Sequence, residues 1–287
     1  MDAAARLVSM TTVNDVAAAI ESLWPVAGAR DGDVVGLTAG NRDAAVQRIL
    51  LAVDPVGATV DEAVELGADV ILAHHPLLMR AVNEVSEDAY KGALLAKLIK
   101  ADIALFAAHT NADVVERGTS GMLATALGLR GVTPIDADRG PGEGAGAQAS
   151  TGIGRVGELP ESVTLGALAR TLAGLLPETA TGVRVAGPED ALVQRVALCG
   201  GSGDSLLGHP AVVGADVYLT ADLRHHPASE AKERALRGAG PWLIDMSHWA
   251  SEWLWLEAAA EQLRVALPGV EVYVSSVRTD AWDFLAR

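Results

Sequence analysis

Two adjacent histidines, His74 and His75, directly follow the apolar residues 70–73. Pro76 comes next and favours extended backbone geometry at His75. Adjacent side chains on an extended backbone point in different directions, so one such pair can reach two neighbouring metal ions. A single surface histidine is an ordinary feature, but a His-His-Pro segment at the end of an apolar run favours a metal site.

Two further segments combine histidine with a carboxylate. His109 and Asp113 follow another apolar run, and His248 and Glu252 are four residues apart in a segment with a helical pattern. Residues four apart share one helix face, so this imidazole and this carboxylate can converge on one ion. The alternative for His248 and Glu252 is a solvated helix pair.

The elements that must position these groups alternate between short apolar runs and helical patterns. The predicted strands of the first half are residues 48–53, 69–73 and 103–108, and the predicted helices are residues 60–66, 90–100 and 118–127. This alternation predicts a largely parallel sheet with helices on both faces. Ligands bind outside the carboxyl ends of the strands in such sheets, and all three polar segments follow predicted strands. Together they favour one metal site.

The second half of the chain predicts a break and then another α/β region. Residues 134–154 are rich in Gly, Ala, Asp and Ser and predict a loop or linker. Further strands are predicted at 155–159, near Val183 and Val193, and at 217–219, 242–245 and 270–274. Helices are predicted at 165–176, 227–236 and 248–263, the last with Ser247 as its N-cap.

Several other residues leave alternatives open. His225 and His226 precede Pro227, and they are either an ordinary helix-entry pair or a substrate contact or general acid/base in a cleft between domains. Gly200 to Gly203 form either a plain turn or an anion site made of backbone amides. The single cysteine, Cys199, is predicted to be a buried strand residue because it ends an apolar run. Trp249, Trp253 and Trp255 are predicted to lie in the core or at a subunit interface.

Composition limits the possible classes of protein. Half of the 287 residues are apolar, which is typical of a folded chain, and 37 acidic residues against 22 basic residues give a net charge of −15. Such a surface repels a phosphate backbone and anionic membranes, so no nucleic-acid partner and no membrane is expected. The first residues lack the apolar run of a secretory signal, and no apolar run is long enough to cross a bilayer. We expect a cytoplasmic protein.

Several blocks of the sequence resemble the GTP cyclohydrolase 1 type 2 homologue family, also called the NIF-three-like family. The similar blocks are residues 62–69 before His-His-Pro, 91–99 before the His109 segment, 109–113, 152–159, 218–226 and 247–252. The chain departs from the family pattern in two places. Ala221-Asp222 stands where the family more often has Gly-Glu, and Ser247 replaces a Gly.

The resemblance implies a discontinuous main domain formed by both chain ends, residues 1–130 and 240–287, with a second α/β domain, residues 131–239, inserted between them. It also implies a dinuclear metal site and a homo-oligomer, a toroidal hexamer. Carried over residue by residue, the implied metal ligands are His74, His75, Asp113, His248 and Glu252.

The chemistry of these ligands agrees with that implication. Imidazoles and carboxylates without thiolate suit Zn²⁺, Mn²⁺, Fe or Ni²⁺, and five side chains leave coordination positions for water. An open position is typical of a catalytic metal centre, where the ion makes water a stronger nucleophile. His109 is predicted either to orient a ligand from behind or to relay a proton, rather than to be a ligand itself.

Two functions follow from this site. The first is a dinuclear metal-dependent hydrolase acting on a small polar substrate such as a nucleotide, with His109, His225 and His226 as candidate catalytic residues. The second is a non-catalytic metal-binding or regulatory assembly protein. An exchangeable water on the metal and a pocket for a ligand would distinguish the first from the second.

Overall fold

The computed structural model describes residues 10–137 and 151–286. It divides into two compact units. Unit 1 contains the described residues up to His109 together with Ala259–Val277, and unit 2 contains Thr110–Ala258 and the described residues from Arg278 onward. The α/β fold class is confirmed, because each unit contains one β-sheet and α-helices.

The secondary structure is as follows. The strands, in chain order, are β1 (Gly36–Ala39), β2 (Arg48–Ala52), β3 (Val70–Ala73), β4 (Ala104–Ala107), β5 (Arg130–Ala137), β6 (Gly152–Thr164), β7 (Arg184–Ala186), β8 (Leu192–Ser202), β9 (Val217–Ala221), β10 (Trp242–Met246) and β11 (Glu271–Val274). The α-helices are α1 (Val13–Leu23), α2 (Gly57–Leu66), α3 (Tyr90–Lys100), α4 (Thr110–Asp113), α5 (Thr119–Ala126), α6 (Leu165–Leu175), α7 (Pro210–Val213), α8 (His225–Leu236) and α9 (His248–Ala266). Short 3-10 helices lie at Val26–Gly28 and Asp204–Leu206.

The sheet of unit 1 has the strand order β1-β4-β3-β2-β11. All of its neighbouring strands are parallel except β1, which pairs antiparallel with β4 at one edge. β3 and β4 consist entirely of buried apolar residues, as expected for strands covered on both faces. Leu50, Ile71 and Leu105 of this sheet pack in one core cluster with Val60 of α2 and Leu98 of α3. The predicted, largely parallel sheet is therefore confirmed for unit 1.

The sheet of unit 2 is mixed, with the strand order β5-β6-β8-β9-β10-β7. The central strands β8, β9 and β10 are parallel, and the outer strands β5, β6 and β7 add antiparallel. Its core cluster includes Val156 of β6, Tyr218 of β9 and Leu243 of β10. Cys199 lies buried in β8, which confirms its prediction as a buried strand residue.

The start of α9 is fixed by the predicted N-cap. The Ser247 hydroxyl accepts a hydrogen bond from the backbone N–H of Ala250 (3.2 Å), and it donates one to Asp280. A hydroxyl in this position satisfies one of the backbone donors that a helix N-terminus leaves open. The cap therefore sets where the helix begins, and with it the position of His248 in the first turn.

The structure differs from the sequence prediction at several elements. Residues 134–137 and 152–154 were predicted as loop but belong to β5 and β6, while residues 138–150 of that predicted loop lie outside the described residues. α1 and β1 were not predicted. β10 was grouped with the first domain but pairs with β9 and β7, because its apolar run completes the sheet of unit 2.

The bounds of the compact units differ from the predicted domain bounds of 1–130 with 240–287 and 131–239. Residues 110–258 stay together in unit 2 because the whole mixed sheet from β5 to β10 lies within them, and one boundary falls inside α9. Within the described residues, no helix is long and apolar enough to cross a membrane. The prediction about a secretory signal falls on the first residues, of which 1–9 lie outside the described part of the chain, and the cytoplasmic location stays a prediction.

Candidate metal centre

Three histidines come together in unit 1, and we call His74, His75 and His109 the histidine cluster. His74 and His75 follow β3, and His109 follows the neighbouring parallel strand β4, whose last residue Ala107 is in register with Ala73. The ring centroids are 5.0 Å apart for His74 and His75, 5.2 Å for His74 and His109, and 5.5 Å for His75 and His109. One ring nitrogen from each histidine lies within 4.8 Å of the other two.

Each ring of the histidine cluster has an oxygen acceptor at Nδ1. The acceptor for His74 is the backbone carbonyl of Ala108 (2.8 Å), for His75 it is the carboxylate of Asp54 (2.7 Å), and for His109 it is the carboxylate of Asp33 (2.9 Å). A carbonyl oxygen can only accept, so Nδ1 of His74 carries the hydrogen, and the neutral ring then has its lone pair on Nε2. The carboxylates favour the same tautomer at the other two rings. This arrangement is the one that orients metal-binding histidines.

A second group, in unit 2, is the pair formed by His248 and Glu252 in the first turns of α9. Nε2 of His248 lies 2.9 Å from Oε1 of Glu252, and Nδ1 of His248 lies 2.7 Å from the carboxylate of Asp222. The Glu252 side chain is only 4% exposed. The two groups therefore face each other at the i,i+4 spacing that the sequence predicted, and the carboxylate is buried rather than solvated.

The electrostatics of this pair follow from burial and two carboxylates. Burial alone lowers the pKa of His248, but the charges and hydrogen bonds of Glu252 and Asp222 outweigh it and raise the pKa to about 11. Without a metal, His248 is therefore protonated at neutral pH and balances part of this negative charge. A divalent cation at the same place would fill that electrostatic role.

Gly201, at the end of β8, leaves room for this pair. Its φ is +67°, and a Cβ at this position would overlap Oε1 of Glu252 and lie 3.1 Å from Nε2 of His248. Glycine is therefore required here both by the left-handed backbone conformation and by the close approach of the two side chains. The absence of a side chain keeps open the space beside an imidazole and a carboxylate.

The glycine segment is not free to bind an anion through its first two amides. The N–H of Gly200 donates to the Ser120 hydroxyl (3.0 Å), and the N–H of Gly201 donates to the Ser251 hydroxyl (2.9 Å). Both glycines belong to β8 rather than to a loop. These bonds join the end of β8 to α5 and α9 and hold Gly201 against the His248–Glu252 pair.

Asp113 ends the short helix α4 and is held from one side by Thr119, whose hydroxyl donates to the Asp113 carboxylate. The backbone just after Asp113 is braced by the buried side chain of Arg155, which donates to the carbonyls of Val114 (3.2 Å) and Val115. Charge-assisted bonds of this kind are among the stronger ones in proteins. Arg155 and Thr119 therefore fix the position of the carboxylate.

Three carboxylates that sequence reasoning missed orient the predicted histidines. Asp54 follows the buried strand β2, at the same sheet edge as His75. Its position just after a predicted strand could therefore have indicated that it belongs to the site. Asp222 directly follows β9 and has a φ of +58°, which Asp tolerates better than most residues. Asp33 follows no strand, and nothing in the sequence near it indicated a partner 76 residues away.

The other candidate residues lie elsewhere. His225 and His226 occupy the first turn of α8, are both exposed, and have ring centroids 5.2 Å apart. Neither is a member of the histidine cluster, so their catalytic role stays a prediction. Trp249 and Trp255 are buried, in agreement with the predicted core position, and Trp253 is partly buried.

Taken separately, both groups fit a metal ion. The histidine cluster offers three ring nitrogens close together, each ring with an oxygen at its Nδ1, and the His248–Glu252 pair offers a nitrogen and a carboxylate oxygen beside a glycine that leaves space. Nitrogen and carboxylate donors without thiolate suit Zn²⁺, Mn²⁺, Fe and Ni²⁺. The fold and these groups define an α/β protein of two sheets with potential histidine and carboxylate metal ligands.

Comparison with known proteins gives the family. Residues 11–281 match the family described as Duf34/NIF3 (NGG1p interacting factor 3), and the chain belongs to this family. A relative from Streptomyces coelicolor, named GTP cyclohydrolase 1 type 2 homolog, is 46% identical over 95% of this chain and 94% of its own length. A Clostridium perfringens relative of the same name is 34% identical over 95% and 99% of the two chains. The crystal structure of a Bacillus cereus protein related to NIF3 has a TM-score of 0.86 at 26% identity, covering 96% of this chain and all of that one.

Proposed function

We propose that this chain is a metal-dependent hydrolase that uses two divalent transition-metal ions to hydrolyse a small polar, nucleotide-like substrate. The proposed ligands are His74, His75, Asp113, His248 and Glu252. The observation that supports this most strongly is the histidine cluster, in which oxygen acceptors at Nδ1 direct the lone pairs to Nε2 before any ion is bound. Because each Nδ1 already faces an oxygen, Nε2 is the ring nitrogen left to bind an ion in all three histidines.

The proposed reaction assigns different roles to the ions, to His109 and to the aspartates. Bound ions would supply Lewis acidity, which activates water and polarises a substrate. His109 is suited to move a proton at Nε2, because Asp33 holds its Nδ1–H and stabilises the charged ring, as a carboxylate does for a general base. Asp54 and Asp222 orient His75 and His248 in the same way.

The metal content of the purified protein tests this proposal directly. We expect about two divalent ions per chain by elemental analysis after supplementation with zinc or manganese, because five ligands with open positions suit a pair of ions. The same loaded protein should hydrolyse at least one compound in a panel of nucleotides and cyclic amides, and removal of the ions by a chelator should stop the reaction. A metal content near zero would contradict the proposal.

The second candidate is a non-catalytic assembly protein, for which self-association is a necessary property. Near the C-terminus, Trp282, Phe284 and Leu285 are 65%, 82% and 51% exposed. Large apolar side chains grouped on a surface indicate an interaction site. We propose that a second copy of the chain covers them in a homo-oligomer, a hexamer as the family resemblance implies. Self-association is compatible with either function, and loaded protein that hydrolyses nothing in the panel would favour the assembly protein.

Light scattering at micromolar concentration tests the oligomer. We expect the mass of a hexamer for the wild type and a smaller mass for the double variant Trp282→Ser, Phe284→Ser, because both substitutions remove apolar area from the contact. Ile99→Ser is the control, since Ile99 is 66% exposed on α3 and lies outside the C-terminal segment. A monomeric wild type would exclude the oligomer, and an unchanged mass in the double variant would exclude this surface.

A further inference from the structure

We infer that unit 2 contains a second ligand site, separate from the proposed metal ligands, that binds a small organic phosphate. The site is a cavity of about 500 Å³, within the range of small-molecule sites in proteins. Its lining residues are Arg184, Val185, Ala186, Leu223, His225, Ala228, Ser229, Lys232, Leu243 and Asp245. None of them belongs to the histidine cluster or to the His248–Glu252 pair.

One wall of the cavity is a single face of α8. His225, Ala228, Ser229 and Lys232 stand at positions i, i+3, i+4 and i+7 of that helix, which is the spacing of neighbours on one face. The polar members of this face are a cation, a hydroxyl and an imidazole, and all three residues are exposed. The cavity also adjoins the first turn of a 12-residue helix, whose open backbone N–H groups favour negative charge.

The strands β7 and β10 contribute apolar residues to the lining, together with Arg184 and Asp245. Ala186 of the edge strand β7 lies in register with Leu243 of β10, and Leu243 is a member of the core cluster of unit 2. Leu223, which follows β9, packs against the same cluster. A ligand here meets apolar surface as well as polar and charged groups, which suits an organic body with an anionic head.

The charge of the cavity selects an anion. Its one carboxylate, Asp245, is already occupied, because it accepts from Arg184 and from the backbone N–H of Leu223 (3.0 Å). The lining has two permanent cations, Arg184 and Lys232, against this one carboxylate, so these three groups give a net charge of +1. The net charge of the whole chain is −15, so a positively charged cavity differs from the rest of the molecule. Lys232 is therefore the group that the ligand phosphate would meet.

Calorimetric titration of the full, metal-loaded protein with phenyl phosphate tests this site. We expect one molecule to bind per chain, and phenol and inorganic phosphate to bind more weakly because each lacks one half of the ligand. Lys232→Ala should weaken phenyl phosphate by tenfold or more, as expected for the loss of a charge-assisted bond. Ser229→Trp should prevent binding by filling the cavity. Both residues are exposed, so both variants should melt like the wild type.

Two controls distinguish this site from others on the molecule. Arg234→Ala removes a cation from the same helix but not from the cavity lining, and it should leave the affinity within about threefold. Glu252→Ala alters a proposed metal ligand and should also leave the affinity unchanged. No binding of phenyl phosphate to the wild type, equal affinity for inorganic phosphate, or binding lost in Glu252→Ala but kept in Lys232→Ala would each overturn the inference.

Discussion

Glu252→Gln is expected to remove most of the bound metal while leaving the fold intact. The substitution keeps the size of the side chain but removes the negative charge that faces His248 and that would offset a dication. A ligand that binds only the folded state stabilises it by about 2.7 kcal/mol at one hundred times its dissociation constant. Zinc should therefore raise the melting temperature of the wild type by several degrees, and that increase should be lost in the variant.

The matched control for this experiment lies on the same helix. Glu257→Ala removes an exposed carboxylate of α9, five residues after Glu252, and should retain wild-type metal content and the wild-type response to zinc. Elemental analysis of both variants after the same loading gives the comparison. Full metal occupancy in Glu252→Gln would show that His248 and Glu252 are only a buried helix pair, and the proposed site would lose that ligand.

Gly201→Ala is expected to be the more damaging substitution for stability. Alanine at this position must adopt a left-handed backbone conformation, and its methyl group would overlap Oε1 of Glu252. Strain of the first kind costs about 1–3 kcal/mol, and overpacking costs a similar amount, so the free energy of unfolding should fall by roughly 2–6 kcal/mol. The displaced carboxylate should also reduce metal content.

Gly182→Ala separates the two causes. Gly182 has a similar φ of +58°, but a Cβ there would meet nothing within 4 Å. This control should show only the conformational cost, with unchanged metal content. Urea denaturation and elemental analysis of both variants measure the difference. If Gly201→Ala is no less stable than Gly182→Ala and binds as much metal, the close approach to Glu252 has no effect on the site.

The histidine cluster could be predicted from the sequence because it depends on local order. The apolar runs that became β3 and β4 are followed at once by His74, His75 and His109, and parallel neighbours end at the same sheet edge. The pair on α9 was predictable for the same reason, since four residues of helix bring His248 and Glu252 onto one face. In both cases the spacing along the chain decides the geometry.

The features that escaped prediction depend on pairing between distant residues. β10 reads like the strands of unit 1, and only its partners β9 and β7 decide which sheet it joins. Gly201 lay within a glycine segment that also fitted an ordinary turn, and the lack of room for a Cβ there arises only from Glu252 and His248 of the distant α9. Asp33 likewise gains its partner only in the folded chain, where His109 lies at the end of β4 within hydrogen-bond distance of it. No local pattern contains this information.

The three oxygen acceptors of the histidine cluster are of two kinds, one backbone carbonyl and two carboxylates. A side-chain substitution can remove a carboxylate acceptor but not the backbone acceptor. The acceptor of His74 is a main-chain oxygen, which every amino acid at position 108 would supply. The acceptors of His75 and His109 are aspartates, which strengthen the donor nitrogen of the ring and which substitution can replace. With the proposed ions bound, a substitution of Asp54 would change the donor strength of His75, and a substitution of Asp33 would change the basicity of His109, while the proposed ligands stay the same.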